Sequence, residues 1–244
     1  MSSRFGKCHI CGFHGPLSFE HVPPQAAFNS NRLFVSRLDH HLGSGRHIDD
    51  FGNGRKKQYQ RGLGEYSLCG KCNSDTGAWY GNAYIDWATQ AFRYSRYARH
   101  APSLVFPHRI FPLLVFKQII CMFMSINGEE FSRANPLLAP FVLSRARREF
   151  PSDLRLYTHY SGDTTIRHSG VTVSMHLNKS NPIAMSEILF PPLGYVLTFG
   201  SEDPPDPRLL DITFFHKYSH RDMEDLSLPI QVLSANAWVP GSYQ

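Results

Sequence analysis

Two Cys-x-x-Cys pairs, Cys8/Cys11 and Cys69/Cys72, bracket a Glu20-His21 dipeptide, and Asn73 follows the second pair directly. Four thiolates can close a tetrahedral shell around zinc, each pair forming a tight knuckle whose sulfurs converge. Such a shell leaves no open position, so the Zn2+ it implies is structural. Fifty-seven residues separate Cys11 from Cys69, against roughly 15–20 in a compact zinc ribbon. The knuckles therefore hold a sizeable segment between them, and the metal staples a region too poor in apolar residues to fold alone. Taken alone, a histidine beside a glutamate is ordinarily a solvated surface residue. The flanking knuckles and Pro23-Pro24 make it a candidate for more.

The order Cys-x-x-Cys, Glu-His-x-x-Pro, Cys-x-x-Cys-Asn resembles the zinc-knuckle branch of the HNH endonucleases, whose catalytic unit is the ββα-metal motif. The resemblance covers residues 8–28 and 66–84. It implies that His21 is the general base activating water, and that Glu20 and Asn73 are ligands of a catalytic cation. Glu20 stands where aspartate is commoner in the family, and Asn53 is the one guess for its middle, loop-shaping asparagine. The chemistry agrees with those roles. A neutral imidazole, with a reference pKa near ~6.5, is matched to taking a proton at neutral pH. Two oxygen ligands leave room for water and phosphate, a hard open site that suits Mg2+ or Mn2+ better than a second zinc. On a strand, adjacent Glu20 and His21 point to opposite faces, so their convergence calls for a bend, which Pro23-Pro24 would accompany. Asn73 can also cap the following helix, and Asp75 reads as a first-turn acid.

The charge distribution bears on the partner. Of 25 Lys+Arg and 20 Asp+Glu, residues 1–110 carry 14 and 7, residues 111–244 carry 11 and 13. Arg55, Lys56, Lys57 and Arg61 lie between the knuckles, with Arg32, Arg37 and Arg46 before them, and Arg93, Arg96 and Arg99 follow on a helix. Beside a phosphodiesterase motif these read as phosphate contacts. DNA is the expected polymer, with RNA left open as substrate. The resemblance permits a role in phage, mobile-element or anti-phage defence biology. The alternative is a zinc-stapled nucleic-acid-binding or adaptor protein without catalysis, which would have no need of Glu20, His21 and Asn73. The histidines His9, His14, His40, His41 and His47 fit no ligand spacing, so they read as solvent-exposed or phosphate-contacting.

The elements that must position these groups follow from periodicity. A helix is expected from Asp75 to Tyr97, with Tyr80, Tyr84, Trp87, Ala88, Ala91 and Tyr94 on its packing face. Residues 29–66 read as a long basic loop. A second helix covers Leu113–Ile126, with Cys121 in its core face, and a short third lies between Pro136 and Glu149. Strands are expected at Leu154–Tyr160, Val171–Met175, Ile188–Phe190, Tyr195–Phe199 and Leu210–Phe215. Glu187, Asp203, Asp206 and Asp211 among them read as solvated. The fold class is α+β: an N-terminal zinc-stapled ββα-metal module over residues 1–100, then an accessory part, 101–244, with a helical middle and a β-rich antiparallel end. That accessory part could serve a homodimer or a protein partner. With 42% hydrophobic and 13% aromatic residues the chain is not disordered. No apolar leader follows Met1, and the stretch Ile110–Ile126 is broken by Pro112, Lys117 and Gln118 and shorter than the ~20 residues of a membrane span. A cytoplasmic protein without a membrane segment is expected.

Overall fold

A computed structural model describes residues 4–38, 56–98, 100, 105–174, 182–200, 203–236 and 239–244. In the N-terminal part, β1 (Arg4–Lys7) and β2 (His14–His21) form a hairpin around the first knuckle, and β5 (Gly64–Cys69) pairs with the other edge of β2, giving a three-stranded antiparallel sheet ordered β1-β2-β5. Between β2 and β5, β3 (Leu33–Ser36) and β4 (Lys56–Tyr59) pair as a separate two-stranded arm. The 29-residue α1 (Gly70–Ala98) begins inside the second knuckle. It buries Tyr80, Tyr84, Trp87, Ala88 and Ala91, a stripe at the three- and four-residue spacing of a packing face. Two of these aromatics also satisfy their polar tips: Tyr80 donates to the Val142 carbonyl at 2.8 Å, and Trp87 Nε1 donates to Tyr195 Oη at 2.9 Å.

After β6 (Phe106–Ile110) comes α2 (Pro112–Asn127), apolar nearly all round and buried along almost its whole length, as a central helix must be. Two short helices follow, α3 (Glu129–Ala134) and α4 (Leu138–Val142). Next come β7 (Leu154–Ser161), β8 (Arg167–Ser174), β9 (Ile183–Phe190) and β10 (Leu193–Phe199). With β11 (Leu210–Asp211) they make an antiparallel sheet ordered β11-β7-β10-β9-β8, and β13 (Val232–Leu233) adds in parallel to β7. Strand β12 (Glu224–Leu228) pairs with β6. One face of the large sheet, with Leu156, Ile188, Tyr195 and Leu197, joins the core of α1 and α2; Tyr157, Met185 and Val196 on the other face pack under Leu209, Leu233 and Tyr243. A single buried cluster runs from Cys8 and Leu68 through α1 and α2 to this sheet.

The α+β class is as the sequence indicates, with the β-rich end antiparallel. Helix α2 starts and stops within one residue of its expected bounds. Several local expectations are corrected. The segment 29–66 is not all loop, because β3, β4 and the start of β5 lie within it. Helix α1 starts five residues early, so Asn73 lies inside it rather than at its cap, and Asp75 pairs with Lys71 at 2.5 Å across one turn. The strand expected at Leu210–Phe215 ends at Asp211, where the Asp211 carboxylate accepts the Thr213 N–H and a 3-10 turn, Thr213–Lys217, takes over. Glu187 is fully buried against Arg167 and Tyr243, and Asp206 pairs with Arg208 at 2.7 Å, so neither is solvated. The lone charge in the apolar run Ile183–Phe190 was the available signal. Among the described residues no helix is long and apolar enough to cross a membrane.

Candidate metal centre and its flanking strand

The four cysteines come together. Their sulfurs all lie within 4.8 Å of one another, and Cys11 Sγ is 3.8 Å from Cys69 Sγ. Tetrahedral zinc with ~2.3 Å bonds places its sulfurs about 3.8 Å apart, so the donor set is compatible with structural zinc. Local backbone shapes each knuckle. Gly12, at φ +71°, turns the first and donates to the Cys8 carbonyl at 2.9 Å, and the Cys72 N–H lies 3.5 Å from Cys69 Sγ as α1 begins. Crowding splits the thiols. A hydrogen bond with Cys72 pulls Cys8 below the usual thiol range, while the same bond and burial push Cys72 up. Binding zinc would take the remaining protons off together.

The knuckle is bolted to the rest of the molecule. His9 Nδ1 is 2.8 Å from the Ser125 carbonyl at the end of α2, and Ser67 Oγ meets Ser125 Oγ at 2.5 Å. Ser132 of α3 donates to the His9 carbonyl, and Lys7 pairs with Glu129 at 3.1 Å. His9 is thus a structural contact, not a solvated residue. Residues His40, His41 and His47, with Arg46, Asn53, Arg55 and Arg99, lie outside the described residues.

Beside this centre, β2 presents the Glu-His pair. No bend separates the two: Glu20 pairs with Glu65 and His21 with Gly64, and the irregularity in β2 falls earlier, between Ser18 and Phe19. Extended backbone sends them to opposite faces. His21 closes the strand on the side of Phe19, their rings edge to face at 4.9 Å, just before the cis Val22–Pro23 bond. Its Nε2 lies 2.9 Å from the Arg61 carbonyl. A carbonyl only accepts, so Nε2 carries the hydrogen, and Nδ1 is the nitrogen a neutral ring would offer as a base. Glu20 sits on the face of Ser18, opposite His21. Burial pushes its carboxyl up to about 7, and among the described residues no hydrogen bond or ion pair reaches it.

Asn73 reaches the same strand from α1. Its Nδ2 donates to Ser18 Oγ at 3.0 Å and to the Phe19 carbonyl at 3.2 Å. The amide nitrogen is committed to β2, which leaves Oδ1 as the ligating atom of the side chain. No direct contact joins Asn73 to Glu20 or His21 among the described residues. The strand joins them, placing Glu20 one residue beyond the carbonyl that Asn73 holds.

Asn29 belongs to this site and was not legible in the motif. Fully buried, it donates to the Pro23 and Leu63 carbonyls, both at 2.7 Å, and accepts the Leu63 N–H at 2.7 Å. It ties the turn after His21 to the segment that supplies the Arg61 carbonyl. Gly62 fits there because it takes φ +91° and because any Cβ would fall 1.8 Å from the Asn29 carbonyl oxygen. The cations Lys56, Lys57, Arg61, Arg93 and Arg96 are all exposed, and Lys57 lies over the Tyr59 ring at 4.5 Å. No family model, curated protein or solved structure matches this chain.

Proposed function

We propose that the protein is a metal-dependent HNH-type endonuclease that hydrolyses phosphodiester bonds in DNA. The observation that carries the reading is the His21–Arg61 contact. It fixes the tautomer, aims the ring, and leaves Nδ1 to take a proton from water, the geometry a general base needs. Asn29 holds that arrangement rigid by clamping both segments. The Glu20 carboxylate and Asn73 Oδ1, on the opposite face of β2 from His21, are the residues that would hold Mg2+ or Mn2+, so joint action with His21 calls for the end of β2 to bend when metal and phosphate bind. The donors fit, since a desolvated carboxylate that no described side chain pairs gains a counter-charge from a hard cation. Such a cation supplies neutralisation of charge building on the phosphate and on the leaving oxygen. Zinc on the four cysteines would have no chemical part, because its shell would be closed.

The exposed Lys56, Lys57, Arg61, Arg93 and Arg96 support a polyanionic partner. Among the described residues no carboxylate pairs with any of them, as cations that contact phosphate require. The test is plasmid nicking with added Mg2+ or Mn2+. His21→Ala is expected to reduce the rate at least ~100-fold, the scale of a lost general base, with zinc content and thermal unfolding unchanged. Equal nicking by wild type and variant would overturn the assignment. Nucleic-acid binding without nicking under any divalent metal would establish a zinc-stapled binder instead.

A further inference from the structure

The loop that leaves His21 runs directly to an exposed aromatic surface, which hydrolysis at His21 does not require. Phe28 is the one non-glycine residue with positive φ among those described, at +68°, and its ring is 38% exposed. A bulky side chain in the left-handed region costs on the order of 1–2 kcal/mol, and the clamp of Asn29 beside it holds the chain there. The ring sits 5.0 Å from Phe92, itself 46% exposed on α1. One turn further along, Tyr97 is 66% exposed, and Arg93 and Arg96 lie between the two rings. At 100° per residue, Phe92, Arg96, Arg93 and Tyr97 fall in that order within a ~140° arc of the helix. The opposite side of this segment carries buried Ala88, Ala91, Ser95 and Ala98.

Flat rings spaced by guanidinium groups that no described carboxylate pairs, on a surface continuous with the loop of the candidate base, suit a particular ligand. We propose that this strip binds an unpaired nucleic-acid strand, its bases stacking on Phe28/Phe92 and Tyr97 while Arg93 and Arg96 hold the backbone. The proposal deepens the nuclease reading and rests on it for the choice of a nucleic acid as partner. Duplex binding needs the cations alone, because paired bases offer no open face to a ring; stacking on protein aromatics requires single-stranded or splayed bases. Phe92 lies 19 residues from Asn73, ~28 Å along the helix, a distance that a strand occupying roughly 4–16 nucleotides can bridge.

The test is fluorescence anisotropy without added Mg2+ or Mn2+, using labelled 20-nucleotide DNA and RNA strands and the matching DNA duplex. Wild type is expected to bind one or both single strands more tightly than the duplex. Phe92→Ala and Tyr97→Ala are each expected to weaken single-strand binding about 5- to 100-fold with little change for duplex. Both side chains are exposed, so thermal unfolding should stay where it was. Equal binding of strand and duplex, or single-strand affinity unmoved by both variants, would overturn the proposal. So would light scattering that shows a dimer in wild type and a monomer in Phe92→Ala, since the patch would then face a second copy. The two readings fail separately: His21-dependent plasmid nicking without single-strand preference removes the strip and keeps the nuclease. Single-strand binding without nicking does the reverse.

Discussion

Two sets of cations, one in each half of the chain, are used in opposite ways. In the C-terminal half, Arg133, Arg147, Arg167 and Arg208 each face a carboxylate of their own, and Arg167 and Glu187 do so almost out of contact with water. In the N-terminal half, Lys56, Lys57, Arg61, Arg93 and Arg96 are exposed, and no described carboxylate answers them. The first pattern neutralises charge within the molecule, at the surface for Arg133 and inside the sheet for Arg167. The second leaves positive charge for something outside the molecule. Net charge alone would not separate them, because +5 over the whole chain is compatible with either use.

The largest expected effect falls on the N-terminal end, where the smaller sheet has little apolar area to stand on. Removing zinc with a chelator, or replacing Cys69 with serine, is expected to unfold β1, β2 and β5 and to expose the α1 face beneath them. Structural zinc in small domains is worth about 10–16 kcal/mol of apparent folding free energy at neutral pH. Hydrogen exchange resolved along the chain checks this. Protection should collapse over residues 4–38 and 56–76 first, while β7, β9 and β10 keep theirs. Protection lost evenly throughout would mean that the two ends fold as one unit and that the contrast stops at the surface.

Next in size is the buried pair. Glu187→Ala leaves Arg167 and the Tyr243 hydroxyl facing a void and is expected to cost about 3–5 kcal/mol in urea unfolding. Arg93→Ala and Arg96→Ala should each change stability by no more than ~0.5 kcal/mol. Similar costs at the two ends would erase the distinction between paired and available charge.

How much of this was legible in the sequence follows from the range of each interaction. The cysteine cluster could be read from spacing, since each knuckle closes within four residues. Helix α2 and the strands β7 and β10 could be read because burial imposes its period locally. Asn29 could not: its partners at Leu63 are 34 residues away, and nothing near it departs from an ordinary polar loop. The β3–β4 arm is equally silent, because β4 is polar and mostly exposed and β3 is a four-residue run without alternation, even though the two pair in register. Glu187 was misread for the opposite reason. A charged residue reads as solvated, yet the apolar run around Glu187 leaves it no solvent face.

A smaller effect comes from histidines within the packed part. Burial lowers His108 to about 4, and also His168 to about 4, while His159 is lowered by the same cause. His108 is held neutral between the Phe106 carbonyl and Tyr160 Oη, both at 2.9 Å. Because its folded pKa lies below the unfolded ~6.5, the unfolded chain binds more protons between pH 6.5 and 4. Stability from this group is complete above pH ~6.5 and is lost as pH falls toward 4, by at most about 3 kcal/mol. Urea unfolding at pH 7 and pH 5 should show wild type losing more than His108→Phe, which cannot take the proton. An unchanged difference would mean that the imidazole is hydrated in the folded state.

The smallest expected effect returns to the surface cations and separates the two ends most cleanly. Each phosphate contact contributes to the fall of log Kobs with log salt, by about 0.7 for a single strand. Arg93→Ala with Arg96→Ala should therefore reduce the slope for single-stranded DNA by about 1.4. Arg147→Ala and Arg208→Ala, whose charges are already answered by Glu149 and Asp206, should leave it unchanged. Stability is not the readout, so a packing role for Arg93 or Arg96 would not mimic the result. Were the C-terminal pair to shift the slope as much as the N-terminal one, paired arginines would be exchanging their carboxylates for phosphate. The lack of a described carboxylate beside Arg93 and Arg96 would then carry no functional meaning.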